Sequence, residues 1–378
     1  MAGKTIPVLI YAPGLGRFSH NTADGVADVL ARTIDRLGPE EYSTRTDAAV
    51  TAPKGLRVGK TIIDGKDQPV LQLFELDYLG LLEPDSGVVG RPVVPGLIRT
   101  VYFALFGLLK LIGAFGRPAK TWVVKAQLLL GFILTLVLIF GATVAVYSAV
   151  FANGGTLPWA GVFGPEAGPW MFGMSSIGVL VIWSAARKKV LALAGSMEWL
   201  MRFVTNESAI ADTVALVVDE AVDGLRQNGW TGSIHLLGFS FGSLVLFESL
   251  FPRPGALRSA SPIASVASLT TIGCPIDIVR LYQPSFVIGR TERRPSLPWT
   301  NVFNPADLFS SNLRDADDGS AGVADALPFV SVPPHSIRYL NQNLGPTQIF
   351  SGGKTHAGYW GTPSRASCFE PLVLNWLK

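Results

Sequence analysis

The chain has 378 residues, of which 48% are hydrophobic and 16% are charged, and its formal net charge is +3. So small and dispersed a charge gives no support to a nucleic-acid partner, because a phosphate-binding surface needs many basic residues on one face. The composition is too apolar for an ordinary soluble domain, and the length allows one large core with additional elements.

The first predicted element is a buried strand over residues 6–12. A glycine loop that includes Gly14 and Leu15 breaks the apolar run at once, so the N-terminus does not have the pattern of a signal peptide. A helix that Asn21 or Thr22 can cap follows and ends at Gly38. Three further apolar runs predict strands over residues 41–50, 56–63 and 70–79.

Two long uncharged runs occupy the middle of the chain, residues 126–151 and 167–186. A helix of 26 residues, at ~1.5 Å rise per residue, is about 39 Å long and can cross a ~30 Å hydrocarbon core. A breaker cluster, residues 153–158, separates the runs. We therefore expect an inserted transmembrane helical hairpin.

Basic residues flank this hairpin on both sides and are absent from its turn; they are Arg117, Lys120, Lys125, Arg187, Lys188 and Lys189. The pattern predicts that both ends of the hairpin are cytoplasmic. Residues 97–115 are also apolar but include Arg99 and Lys110, which favours an interfacial or re-entrant helix over a third crossing.

Once residues 91–195 are set aside as the membrane insertion, residues 1–90 and 196–378 form one alternating pattern of strands and helices. Apolar residues recur at helical spacing from Ile210 to Leu225, and a strand is predicted over residues 233–237. This pattern predicts an α/β fold with a doubly wound, mostly parallel sheet.

Residues 238–242, Gly-Phe-Ser-Phe-Gly, have the spacing of a nucleophile elbow, in which a serine lies on a strained turn between a strand and a helix. The run 234–237 predicts the strand and the run 244–250 predicts the helix. Ser240 is therefore the candidate nucleophile. The amide of Phe241 and an amide of the glycine loop, from Gly14 or Leu15, are the candidate oxyanion donors.

A nucleophilic serine needs a base to accept its proton, and the base needs an acid to orient it. In enzymes with a nucleophile elbow these residues follow along the chain in the order Ser, Asp or Glu, His. His356 is the last of the four histidines in the chain and is the candidate base. It is predicted to lie on a loop that follows a strand over residues 347–350. We expect His235 to pack inside a strand, His335 to lie on the surface, and His20 to lie near substrate.

Asp307, a short loop after the predicted strand Trp299–Phe303, is the favoured acid. Asp277 is the alternative acid, since it follows an earlier predicted strand, residues 269–273. Its other interpretation is a residue at the start of the next helix.

The chain also has two cysteines and a cluster of three arginines. Cys274 and Cys368 do not form a disulfide framework or a metal-ligand spacing, so we expect two buried thiols. Arg290, Arg293 and Arg294 fall between two predicted strands, which indicates either a solvated loop or contact with anionic lipid headgroups.

Residues 1–90 and 196–378 resemble the α/β-hydrolase superfamily, and four motifs are similar to those of class 3 lipases and related bacterial serine hydrolases. The motifs are Gly-x-Ser-x-Gly at 238–242, Ile272-Gly273-Cys274-Pro275, Asn301-x-Phe303-x-x-x-Asp307, and His356-x-Gly358-Tyr359-Trp360. The resemblance implies Ser240, Asp307 and His356 as nucleophile, acid and base. Phe239 and Phe241 stand where such lipases more often have histidine and leucine, and the hairpin has no counterpart in them.

These observations lead to one expectation and one alternative. We expect a membrane-anchored serine hydrolase that cleaves lipid or other acyl esters without a cofactor or metal, in the bacterial inner membrane with its hydrolase domain in the cytoplasm. The alternative is an inactive hydrolase-like membrane scaffold or binding module. Two spans without buried charge do not indicate a transporter.

Overall fold

The structure is a computed structural model. It describes residues 5–15, 22–38, 41–47, 50–82, 195–256, 258, 260, 262–313, 327, 329–332, 334–339, 352–361 and 366–377, together with residues 95, 98–99, 101–102, 129, 132–133 and 136. The described residues of 5–82 and 199–377 belong to one compact unit, and those between 95 and 198 belong to another.

Eight strands are described in the first unit. They are β1 (Val8–Ala12), β2 (Tyr42–Arg45), β3 (Leu56–Asp64), β4 (Pro69–Leu76), β5 (Ile234–Phe239), β6 (Val266–Ile272), β7 (Trp299–Phe303) and β8 (His335–Arg338). They form one sheet in the order β2-β3-β4-β1-β5-β6-β7-β8.

The sheet is mostly parallel. Within it, β2 and β3 pair antiparallel with their neighbours, and every pairing from β4 to β8 is parallel. The first strand of the chain lies in the middle of the sheet, between β4 and β5. The predicted α/β class with a mostly parallel sheet is confirmed.

Seven helices with described bounds belong to the same unit. They are α1 (Ala23–Leu37), α2 (Leu79–Leu82), α3 (Ile210–Gln227), α4 (Phe241–Leu250), α5 (Ile276–Tyr282), α6 (Gly352–Ala357) and α7 (Val373–Trp376). Residues 199–205 are also helical. Thr22 caps α1, because its hydroxyl accepts a hydrogen bond from the Gly25 amide at 3.3 Å.

Helices cover the sheet because its central strands are apolar on both faces. Every residue of β1 is buried. Leu9 and Tyr11 belong to a core cluster that also contains residues of α1 and α7. Helices α3 and α4 pack on each other, and α4 packs on β1 and β5 with residues outside that cluster. The central strands are therefore buried from both sides, as parallel strands generally are.

The boundaries of several elements differ from the predicted ones. Strand β4 ends at Leu76 because residues 79–82 turn into α2, and α4 begins three residues earlier than expected, at Phe241. Strand β8 was not predicted at all, and the predicted strand over residues 347–350 lies outside the described residues. Near the end of the chain, Val373–Trp376 is α-helical.

Both interpretations of the arginine cluster are wrong for Arg290 and Arg293, because these side chains are buried within the unit. Arg290 donates to Glu248 at 2.9 Å, and Arg253 pairs with the same carboxylate at 3.1 Å. Arg293 pairs with Asp219 at 2.7 Å. These contacts form a buried ionic cluster around Glu248 of α4 and Asp219 of α3. Each buried charge in it has a charged partner, as a charge removed from water requires.

The second unit is described only at scattered helical residues. Arg99 forms an ion pair with the buried Glu198 at 3.3 Å. The predicted hairpin runs, 126–151 and 167–186, lie outside the described residues except for residues 129, 132–133 and 136, as does most of the predicted interfacial helix over residues 97–115. Among the residues that the structure does describe, no helix combines the length and apolarity needed to cross a bilayer.

Candidate active site

Ser240 lies on the turn between β5 and α4. Its backbone has φ 53° and ψ −119°, a strained conformation for a residue with a Cβ. Its amide donates a 2.8 Å hydrogen bond to the carbonyl of Ile272, at the end of the neighbouring strand β6. The turn is thus held from the adjacent strand, with Ser240 as the residue that joins β5 to α4.

The two glycines of the motif are required by close backbone contacts. A Cβ on Gly238 would lie 2.6 Å from the Cα atom of Ser243, and one on Gly242 would lie 2.0 Å from the carbonyl oxygen of Ala12. Neither neighbouring atom is on a side chain that can move away. The turn can therefore approach both β1 and its own helix only because these positions lack side chains.

The structure brings Ser240, His356 and Asp307 together in one hydrogen-bonded series. The Ser240 Oγ atom is 2.8 Å from His356 Nε2, and His356 Nδ1 is 2.7 Å from Asp307 Oδ2. An ionised carboxylate only accepts hydrogen bonds, so Nδ1 carries the proton and Nε2 is left to accept from the serine hydroxyl. This is the arrangement in which a histidine can act as a base toward serine.

His356 lies in the short helix α6, and the prediction of a loop at this position is wrong. Aromatic rings surround its imidazole: Phe239 stacks on it with ring centroids 5.1 Å apart, and Phe309 meets it edge-on at 5.3 Å. Gly273, with φ +59°, leaves room for the ring, because a Cβ there would be 3.1 Å from His356 Cε1. Phe239 stands where class 3 lipases more often have histidine, and in this structure its ring packs on the candidate base.

Asp307 follows β7 and is 1% exposed. One carboxylate oxygen accepts from the Phe309 amide at 2.9 Å. The other accepts from His356 and, at 3.0 Å, from the hydroxyl of Tyr359. Three donors therefore converge on this side chain and fix its orientation relative to the imidazole.

Tyr359 is a residue of the site to which sequence reasoning gave no role. It is completely buried, and its hydroxyl also accepts a 2.9 Å hydrogen bond from the Asn304 amide. Burial, together with the nearby Asp307 charge, raises the pKa of Tyr359 well above its usual value, so its hydroxyl remains a donor. Its position three residues after His356, inside the motif His356-x-Gly358-Tyr359-Trp360, was the sequence feature that could have indicated a role in the site.

Asp277, the alternative acid, lies in the first turn of α5. Its backbone amide donates a 2.8 Å hydrogen bond to Ser311 Oγ, and its carboxylate is 4.0 Å from the Arg280 guanidinium. His356 Nδ1 contacts Asp307, so Asp307 has the geometry of the acid in this structure, and Asp277 has the position expected of a helix-start residue.

The candidate oxyanion donors lie beside the serine turn. Phe241 is the first residue of α4, where helix amides lack partners within the helix. Gly14 and Leu15 follow β1, which pairs with β5 up to Ala12 and Gly238. A Cβ on Gly242 would also lie 2.6 Å from the Pro13 carbonyl oxygen, so the loop passes directly against the start of α4.

The other histidines and the cysteines lie apart from this arrangement. His235 is buried in β5, with its ring nitrogens 2.8 Å and 2.9 Å from the hydroxyls of Ser268 and Ser233, and burial lowers its pKa to about 4. His335 is exposed at the start of β8, as expected. His20 lies outside the described residues. Both cysteines are buried free thiols, which confirms the prediction.

Within the described part of the chain, no group of three or more histidine, cysteine or acidic side chains is arranged to hold a metal ion. Comparisons with protein-family models, curated proteins and solved structures each found no match to this chain.

Proposed function

We propose that this protein is a membrane-anchored serine hydrolase of the α/β-hydrolase class, which cleaves carboxylic esters of lipids or other acyl compounds. The observation that carries the proposal is the pair of hydrogen bonds joining Ser240, His356 and Asp307. The strained backbone of Ser240 also supports the proposal, because such strain persists only where the surrounding structure offsets its cost, and it is found mostly at functional sites.

The order of elements gives independent support. The nucleophile follows β5 in the middle of the sheet, the acid follows β7, and the base lies beyond β8, in the chain order Ser, Asp, His. This is the order that the nucleophile-elbow motif carries in α/β-hydrolases. The proposed class follows from two features: the hydrogen-bonded geometry of Ser240, His356 and Asp307, and the order of these residues along the chain.

The reaction would proceed through an acyl-enzyme. Ser240 Oγ attacks the ester carbonyl carbon while its proton passes to His356 Nε2, and the carbonyl oxygen becomes an oxyanion near the amides of Phe241 and Gly14 or Leu15. The C–O bond then breaks, and His356 gives its proton to the leaving alcohol. Water repeats the sequence and releases the acid. Asp307 holds the imidazole throughout and stabilises its protonated form.

Membrane attachment is the second part of the proposal, and it rests on the sequence of residues 126–151 and 167–186. Their length and lack of charge match two bilayer crossings, and the basic flanks favour the cytoplasmic side for the hydrolase unit. Localisation in a bacterial inner membrane is part of the same proposal. An enzyme held there would meet acyl esters of the bilayer directly.

Activity is tested by assaying the full chain, purified in detergent, against short-chain p-nitrophenyl esters. We expect hydrolysis that is lost in Ser240→Ala. Equal hydrolysis by the wild type and Ser240→Ala would contradict the enzyme proposal and leave the scaffold as the alternative. Attachment is tested separately by carbonate washing of membranes: retention of the protein supports it, and complete release without detergent contradicts it.

A further inference from the structure

Tyr78 is a buried side chain that joins the two sides of the proposed oxyanion site. It lies two residues after β4 and is 0% exposed. Its hydroxyl donates a hydrogen bond to the carbonyl of Pro13, and its ring lies 6.0 Å from that of Phe241. One tyrosine therefore contacts both the glycine loop and the first residue of α4.

The hydrogen bond to Pro13 constrains the amide of Gly14. Pro13 C=O and Gly14 N–H belong to one planar trans peptide, in which the two groups point in opposite directions. Fixing the carbonyl toward Tyr78 therefore fixes the direction of the Gly14 N–H. Without this bond the peptide could rotate, and a donor aimed at a developing oxyanion would lose its alignment.

The ring of Phe241 is held from a second direction. Phe203, in the helical residues 199–205, is buried and meets Phe241 edge-on with centroids 4.9 Å apart. The Phe241 amide immediately follows Ser240, so contacts that immobilise the Phe241 side chain also limit movement of the peptide between them. A phenylalanine at this motif position gives the turn an anchor that a smaller side chain would not provide.

We propose that Tyr78 is a positioning residue for the oxyanion site, acting on Gly14 through the Pro13 carbonyl and on Phe241 through its ring. The inference rests on the proposed serine hydrolase function. Burial raises the pKa of Tyr78 well above its usual value, so the hydroxyl keeps its proton and donates throughout the working pH range. The effect of Tyr78 on the rate should accordingly be independent of pH.

Tyr78→Phe, which keeps the ring and removes the hydroxyl, tests the proposal in ester hydrolysis by the full chain. Loss of a whole oxyanion donor costs roughly 10²–10³ in kcat, so misalignment of one should lower kcat roughly tenfold or more. KM should stay within about twofold, because the interaction strengthens only in the transition state. The acid limb of the pH profile should not move.

Tyr339→Phe is the matched control, because it also removes a tyrosine hydroxyl that donates to a backbone carbonyl, that of Ala366 at 2.8 Å. It should leave kcat near the wild-type value. A kcat for Tyr78→Phe within about twofold of wild type, with an unchanged melting temperature, would overturn the positioning role. An inactive wild type would instead overturn the proposed function, so the two failures are distinguishable.

Binding of a trifluoromethyl ketone, which forms a hemiketal with the serine and places an oxyanion in the site, gives a second measurement. Tyr78→Phe should weaken its affinity by the same factor as kcat. If Tyr78→Phe does not fold, Phe241→Leu carries the test, since it removes the ring contact with Tyr78 and leaves the Pro13 hydrogen bond intact. Wild-type kcat and ketone affinity in folded Phe241→Leu would then overturn the proposal.

Discussion

The hydroxyl of Tyr359 donates to Asp307 Oδ2, the same carboxylate oxygen that lies 2.7 Å from His356 Nδ1. The tyrosine therefore acts on the candidate base through the acid and positions the carboxylate against the imidazole. Asn304 donates to the same hydroxyl, which fixes the direction in which the tyrosine can donate.

Tyr359→Phe should lower kcat/KM roughly tenfold, because a hydrogen bond to a charged group contributes about 1.5 kcal/mol or more. With one donor fewer, the Asp307 carboxylate should attract the proton on His356 more strongly, so the acid limb of the kcat/KM profile should move to higher pH. Tyr339→Phe, in the ring that stacks on Tyr359, is the control. An unmoved acid limb would indicate a purely structural tyrosine.

The choice of acid is tested by comparing two conservative variants. Asp307→Asn should reduce kcat by roughly 10³–10⁴, because an amide would favour the wrong histidine tautomer. Asp277→Asn should leave kcat within about threefold of wild type, since Asp277 lies at the start of α5. Ester hydrolysis at neutral pH measures both. A large loss of kcat in Asp277→Asn together with a small loss in Asp307→Asn would reverse the assignment of the acid.

Stability of the hydrolase unit should depend on the buried ionic cluster. Glu248 and Arg290 have side chains that are both 0% exposed. Glu248→Gln should therefore lower the free energy of unfolding by about 3 kcal/mol or more, since it leaves Arg290 buried without a charged partner. Glu220→Gln, which removes an exposed ion pair with Lys54, should cost less than about 1 kcal/mol. Equal urea midpoints for the two variants would contradict this account.

His235 should make the protein less stable in mild acid. Its folded pKa is about 4, below the ordinary value of 6.5, because burial disfavours the charged ring. The neutral form is therefore favoured by folding, and this stability is fully present above pH 6.5 and is lost as the pH falls toward 4. Linkage gives a loss of about 2 kcal/mol between pH 7 and pH 5.

His235→Gln removes this titration and isolates its contribution from that of other groups. Urea unfolding of the wild type and the variant at pH 7 and pH 5 measures it. The wild type should lose about 2 kcal/mol more than the variant between the two pH values. Equal losses of unfolding free energy in the wild type and the variant would mean that the pKa of His235 does not differ between the folded and unfolded states as proposed.

Features with a local cause could be predicted from the sequence. Ser240 was identified because the turn needs Gly238 and Gly242, and both glycines lie in the motif itself. The position of Asp307 followed from the apolar strand before it, which the structure gives with the predicted bounds, Trp299–Phe303. Short-range pattern and turn chemistry carry enough information at such positions.

Features that depend on partners distant in the chain could not be predicted. Arg290 and Arg293 resemble solvated loop residues until the fold brings them to Glu248 and Asp219, which lie 42 and 74 positions away. Tyr359 meets Asp307 across 52 positions. Strand β8 has four residues and lacks continuous apolar character, so its pairing with β7, and not its own sequence, makes it a strand.

Labelling by a fluorophosphonate probe tests the central claim most directly, because such probes phosphonylate a serine only when a base activates it. The purified full chain should be labelled, with the adduct on Ser240 identified by mass spectrometry of the peptide. Ser240→Ala and His356→Ala should each abolish labelling, whereas Ser331→Ala, in an exposed turn, should label as wild type. Full labelling of Ser240→Ala, or no labelling of the folded wild type, would contradict an activated serine at this site.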